Sequence, residues 1–440
     1  MPRTLGALFI LLWMGRGLIW AETAYTVLQS TCREVAGERI DSVEWQGLRR
    51  VKPEVVEREN RQKVGEIVSC EQLQATQSSL EGLDLFAAVR YQIEQSGELR
   101  IVRWHLEELP PWLPLPSAKI SDQDGWLLGP SVIALNLWRR DVRLEAHART
   151  TLYPDLFRAQ EYTFSLSSPW LWSWPIDYDL RLIRTDSWNP LKLYDEESWE
   201  AGGEFAYRLY TIWSAVIWGE AFVAKHSYSE ANWERISSTS HDRMGVLGVG
   251  VRRDHRDRAL DPRNGEWIEF RAGYGGGVLG NVGEWRDYLA DLRIWRSWSN
   301  LLILHSSLLA RYRPGDVPDL LHYHQGGINS LRGYPPDPER ASRDELLSTI
   351  ELRFPLLERY TLRWGGVNLF TALQAVVGVD AARQGYRNSD RGYVGFYSGL
   401  HILLPGIDRL RIEGAWSKPS GFSIAVGLYE KSVTARWRSR

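Results

Sequence analysis

Beyond residue 118 the chain is built from segments in which apolar and charged side chains alternate with a period of two. Trp267–Tyr274 places Trp267, Glu269 and Arg271 on one face and Ile268, Phe270, Ala272 and Tyr274 on the other. Thr349–Phe354 sets Ile350, Leu352 and Phe354 against Glu351 and Arg353, and Leu410–Trp416 sets Leu410, Ile412 and Trp416 against Arg411 and Glu413. A period of two is that of an extended strand. A charged face opposite an apolar, aromatic one needs water on one side and lipid on the other. A β-sandwich also alternates, but it hides its apolar face and seldom fills it with so many aromatic rings. The expected fold is therefore an all-β transmembrane barrel. Residues 118–440, at about 20 per strand with its connection, fit an even count near 16 antiparallel strands.

Composition narrows the classes further. The 22 Trp and 19 Tyr in 440 residues suit the interfacial girdles of a membrane barrel. With 25% charged residues and a mean hydropathy of −0.33, a helical membrane protein is excluded. A net charge of −2 argues against nucleic acid as a partner. Gly275–Gly280 matches G-x-G-x-x-G, yet no amphipathic helix follows to receive a phosphate. His322 and His324 share a strand face but lack a third ligand nearby. No nucleophile elbow or zinc-protease helix is present, so neither an enzymatic activity nor a cofactor or metal is expected.

Met1-Pro2-Arg3, the apolar stretch Leu5–Trp20 and Ala21 read as a signal peptide over residues 1–21. The two cysteines, Cys32 and Cys70, fit a disulfide or two separate thiols equally well. Residues 38–109 read as strand (Ile40–Leu48), helix opened by Pro53, helix (Glu71–Leu83), strand (Ala88–Gln95) and strand (Glu98–Leu106), with a Ser96-Gly97 turn. This order, with Leu85–Val89 leading into its second strand and His105–Glu108 closing the third, resembles a single POTRA domain. Such domains bind extended polypeptide by strand addition. Residues 110–117, with prolines at 110, 111, 114 and 116, read as a stiff linker before the barrel.

Three segments of the barrel carry a family resemblance. Gly326–Tyr334 contains Leu331-Arg332-Gly333-Tyr334. It resembles the conserved-loop motif of the BamA and two-partner-secretion transporter superfamily, outer-membrane proteins with POTRA domains and a bacterial surface antigen barrel. Asp254–Asp257 with Asp261-Pro262-Arg263-Asn264-Gly265 resembles the family's hairpin before a barrel strand. Gly421–Tyr429 resembles a closing strand with a targeting signal, carried by Phe422, Ile424, Val426, Gly427, Leu428 and Tyr429. Residues 430–440 follow it, which leaves open an internal signal or a last strand near Val433–Trp437.

The resemblance implies a loop folded back into the barrel, with Arg332 paired to an acid on the inner wall. An unpaired buried guanidinium is costly, so partners are required. The inward-facing Glu351 is the first expected partner; Gln374 stands where relatives carry an aspartate, and Asp380 lies six residues on. The resemblance further implies an outer-membrane location with the POTRA-like domain in the periplasm. It implies a role in inserting or translocating β-rich polypeptide clients, through that domain and a laterally weak seam that Gly427 weakens further. The expected partners are those clients, outer-membrane lipid, and accessory periplasmic or lipoprotein subunits. The alternative is a passive plugged channel or a structural barrel on the same fold.

Overall fold

A computed structural model describes Cys32 and residues 38–429, apart from 84, 97–98, 122–124, 153–157, 190–193, 210–211, 229–240, 258–260, 282, 300, 318–320, 329, 336–340, 365–366, 387–388, 405–406 and 419. The expected signal peptide, Gly97 of the Ser96-Gly97 turn and the residues after Tyr429 lie outside this set. The chain divides into two compact units, Met1–Leu109 and Pro110–Arg440.

The first unit runs β1 (Ser42–Gln46), α1 (Pro53–Glu57), α2 (Cys70–Gly82), β2 (Phe86–Ser96) and β3 (Leu99–Glu108). Pro53 occupies the first turn of α1, where its missing N–H leaves no bond unmade. Ser69 caps α2 by accepting from the Gln72 N–H at 3.4 Å. The sheet order is β1-β3-β2, with β1 parallel and β2 antiparallel to β3. Leu73, Thr76 and Leu80 form the buried stripe of α2, and Val102, Trp104 and Leu106 the buried face of β3. Tyr91 and Trp45 both pack on Trp104, with ring centroids 5.1 and 5.8 Å away. Cys32 and Cys70 form a disulfide, which settles the alternative left open by the sequence.

The second unit is one antiparallel sheet of 16 strands in sequence order. They are β4 (Trp112–Ser121), β5 (Gly125–Leu137), β6 (Val142–Thr151), β7 (Arg158–Ser168), β8 (Ile176–Asn189), β9 (Tyr194–Arg208), β10 (Trp213–Tyr228), β11 (His241–Asp254), β12 (Gly265–Gly276), β13 (Glu284–Ser299) and β14 (Leu302–Tyr312), then β17 (Asp344–Trp364), β18 (Val367–Tyr386), β19 (Ser389–Leu404), β20 (Ile407–Ser417) and β21 (Gly421–Tyr429). Two short strands, β15 (Tyr323–His324) and β16 (Ala341–Ser342), pair within the β14–β17 loop. One face of the sheet is apolar: on β9, Trp199, Phe205 and Tyr207 are exposed with Ala201 and Gly203 between them. The other face buries charge in pairs. Glu204 on β9, for example, is shared by Arg252 on β11 and Arg271 on β12. The first and last strands, β4 and β21, lie beside each other, but no ladder joins them among the described residues.

One boundary differs from the sequence reading. Trp112–Pro116, expected in a linker, already belongs to β4 and pairs with Ala134–Pro130 of β5. Proline is tolerated there because β4 ends the sheet, so one side of its backbone has no ladder to break.

Candidate functional site

The loop joining β14 to β17 turns back along the inner face of β18–β21. Its tip is closed by the Gly327 N–H donating to the Tyr334 carbonyl at 2.8 Å, and Gly327 and Gly333 take positive φ of 84° and 86°. Arg332 is 7% exposed. Its Nε and Nη2 donate to the two oxygens of Asp380, each at 2.7 Å, and its backbone N–H donates to Oδ2 of the same group at 3.1 Å. This is the two-pronged geometry that a guanidinium makes with a carboxylate. Nη1 lies 3.4 Å from Glu413 and 3.6 Å from Glu351. The guanidinium also stacks on Tyr397, 3.2 Å from the ring centre.

The wall is shaped to receive this tip. A Cβ on Gly395 of β19 would overlap the Arg332 carbonyl, and one on Gly378 would overlap the Tyr397 ring. Ser417 donates to the Gly333 carbonyl at 2.6 Å, Arg411 to that of Ile328 at 3.1 Å, and the Tyr334 hydroxyl to that of Val394 at 3.2 Å. Leu331 is fully buried with Tyr334 and Ala382.

Of the three partners expected for Arg332, the structure brings Asp380 and Glu351 to it and places Gln374 elsewhere. The Gln374 amide donates to both oxygens of Asp261, each at 3.0 Å, and Arg409 donates to Asp261 at 3.0 Å. Asp261 lies in the turn between β11 and β12, so that turn reaches the β18–β20 wall below the loop tip. Sequence reasoning did not find Glu413, Tyr397 or Thr349, whose hydroxyl donates to Asp380 at 2.7 Å. All three are held at the site by strand register, and only their inward parity was readable.

A second anchor, also unforeseen, holds the start of the loop. Arg313, fully buried, donates to Asp287 at 2.7 Å and stacks on Tyr323 at 4.4 Å. Val317 and Leu321 pack with Phe222, Met244 and Trp285 of β10, β11 and β13. Tyr323, from the histidine-flanked segment, is therefore a packing residue.

Potential ligand atoms of Glu351, His401 and Glu413 lie within 4.8 Å of one another. Most of these atoms are already engaged: Arg353 and the Tyr397 hydroxyl donate to the two oxygens of Glu351 at 2.6 and 2.8 Å, and His401 Nε2 lies 2.8 Å from Glu413 Oε1, while Glu413 Oε2 is buried without a hydrogen-bond partner among the described residues. Arg332 and Arg353 set guanidinium charge beside the two carboxylates of the cluster.

The closing strand, β21, pairs with β20 from Gly421 to Tyr429. The Ile412 carbonyl lies against Gly399 of β19, so the odd-numbered residues of β20 bond to β21. Ser423 donating to the Ala415 carbonyl at 3.5 Å agrees with this. Gly427 faces Arg411 and therefore turns its N–H and C=O toward β20, away from the sheet edge. Its missing Cβ makes room for Ile328 of the loop. Phe422 and Ile424 point outward, 67% and 73% exposed.

Residues 149–425 match the Omp85 superfamily domain. No curated protein sequence matches the chain. Among solved structures, BamA from Haemophilus ducreyi lacking POTRA domains 1–3 aligns with a TM-score of 0.52 at 14% identity, covering 89% of this chain and 84% of that one. CdiB from Acinetobacter baumannii aligns with a TM-score of 0.52 at 14% identity, covering 89% and 74%. CdiB from Escherichia coli gives 0.59 at 11% identity, covering 90% and 75%.

Proposed function

The chain belongs to the Omp85 superfamily of outer-membrane barrels, whose members insert or translocate proteins, and on that premise we propose that it is an assembly or translocation factor for β-rich polypeptides. Clients are gathered as extended strands by the POTRA-like unit, residues 38–109, on the periplasmic side. They are then passed to a laterally weak seam between β4 and β21. The observation that carries this reading is the open seam itself: 16 strands in a continuous order whose first and last members lie side by side without a ladder among the described residues. Exposed strand edges are templates for further strands. The loop-tip motif with Arg332 supports the same reading as a fixed element beside that seam. Members of the family are generally not enzymes, and the buried ion network around Arg332 is used for holding the loop.

A passive plugged channel remains the second reading, favoured by inward charges that are paired and buried, such as Glu269 and Asp380 at 0% exposure. The two separate in liposomes holding the purified protein. An assembly factor accelerates insertion of an unfolded outer-membrane protein over empty vesicles, and deletion of residues 38–109 removes the acceleration. Steady ion conductance with no acceleration would leave the channel reading standing instead.

A further inference from the structure

The outward face of β5–β9 carries a trough. On β6 the lipid-facing residues at its floor are Ala146 and Ala148, while Arg149 points inward and pairs with Glu161 at 2.9 Å. Ala146 lies opposite Val132 of β5 and Phe164 of β7, and Ala148 lies opposite Tyr162. Val132, Tyr162 and Phe164 are exposed and stand higher than an alanine methyl, and the groove they border measures about 580 Å³. Sites that hold a small molecule run from roughly 300 to 1,000 Å³.

The trough ends in charge. Arg184 of β8 stands in one row with Tyr162 of β7 and Trp199 of β9. Its guanidinium lies over the Trp199 ring, 5.5 Å from the centre, and donates to Glu197 at 3.2 Å. Beyond that row, still on the outward face, Glu197 lies opposite both Asp186 of β8 and Lys225 of β10. Arg158 of β7 donates to Asp195 of β9 at 2.5 Å. Outward charge is costly at the middle of a bilayer and nearly free at its surface, so this belt marks the headgroup layer. Tyr162 and Trp199, apolar rings with a polar tip, sit at its boundary.

The belt is balanced, with Arg158, Arg184 and Lys225 set against Asp186, Asp195 and Glu197. A headgroup that carries both signs and no net charge complements it. Asp186 and Glu197 are like charges directly across a strand pair, which repel until a cation comes between them. The Arg184 and Glu197 side chains are 40% and 47% exposed, so exchanging this pair for a phosphate on Arg184 loses little.

We propose that the trough holds an acyl chain of phosphatidylethanolamine, whose phosphate takes Arg184 and whose ammonium takes Asp186 and Glu197. The methylenes lie over Ala146 and Ala148, between Val132 and Phe164, and the headgroup reaches the charged belt beside Tyr162 and Trp199. Phosphatidylglycerol has no ammonium for the two acids, and the quaternary nitrogen of phosphatidylcholine has no N–H to donate to them. Such a site is independent of client handling.

The test takes the full chain, stripped of lipid in detergent, and offers it phosphatidylethanolamine, phosphatidylglycerol and phosphatidylcholine with identical acyl chains in equal amounts. Native mass spectrometry counts the lipid retained on the folded barrel. Phosphatidylethanolamine should be retained about tenfold over the other two, the worth of one charge-assisted hydrogen bond. Ala146→Trp, which fills the trough, should abolish this retention. Arg184→Gln should cut retention severalfold, and Asp186→Asn with Glu197→Gln should keep a lipid bound but erase the preference. Heat-modifiability on gels shows that each variant is folded. Equal retention of the three lipids, a preference for phosphatidylglycerol, or a preference unchanged in Ala146→Trp or in the double acid variant overturns the site.

Discussion

Arg332 carries the loop tip because it answers several acceptors at once. Asp380 takes its fork, Glu413 and Glu351 lie within 3.4 and 3.6 Å, and Tyr397 lies under its plane. Removing one partner from a buried ion pair leaves the other uncompensated, at a cost of roughly 3–5 kcal/mol. Arg332→Ala should therefore free the tip, and Arg332→Lys should restore it only in part, because an ammonium cannot make the fork. Arg313 stays bonded to Asp287 in either variant, so the base of the loop should remain docked. Hydrogen exchange on the reconstituted protein should show lost protection over residues 326–335 and unchanged protection over Val317 and Leu321. Equal protection at the tip in Arg332→Ala would remove the pinning role. The sequence revealed the arginine and the inward face of its partners, because parity is readable along one strand. It could not fix height: Gln374 and Asp380 have the same parity, and only the register Thr349↔Asp380 and Pro355↔Gln374 separates them.

At the scale of elements, local chemistry was legible where it is encoded locally. Pro53 and Ser69 mark helix starts, and the alternation of β12, β17 and β20 marks which side is wet. The proline-rich stretch before the barrel misled because proline suits both a linker and an edge strand, and only the ladder with β5 distinguishes them. The end of β3 shows a device that composition does not reveal. Glu108 accepts from the backbone N–H groups of Arg49, Arg50 and Val51 at 2.8, 3.0 and 2.9 Å. Burial alone would raise its pKa; the three N–H donors and the Arg50 guanidinium outweigh burial and hold it below the ordinary glutamate value. A carboxyl depressed in the folded state adds stability above its unfolded pKa and loses it as pH falls through the folded one. Protection of the 49–51 amides should therefore decline on acidification below the ordinary glutamate range. In Glu108→Gln it should start lower and lose this pH dependence. A decline of the same size in Glu108→Gln would assign the effect to another group.

For the molecule as a whole, strand number followed from chain length and period, but the filling of the interior did not, since it depends on contacts between distant segments. Two separate segments meet the β17–β20 wall. The loop tip reaches it through Arg332 and Asp380, and the β11–β12 turn reaches it through Asp261, Gln374 and Arg409. From β12 to β20 is six steps in the strand order, more than a third of the 16, so the Asp261 contact must run through the interior rather than along the wall. Tip and turn are anchored at different heights, Asp380 beside Thr349 and Gln374 beside Pro355, and on the plugged-channel reading each would close the lumen at its own level. Two closures in series each hold the current down alone, so removing either one leaves the other in place. Arg332→Ala and Asp261→Ala should each change single-channel conductance in planar bilayers only slightly, while the double variant should raise it severalfold above the sum of the two changes. Full opening by Arg332→Ala alone would show that the turn does not occlude the lumen. An unchanged double variant would show that the remaining paired side chains, Glu204 with Arg252 and Arg271 among them, close the barrel without either tether.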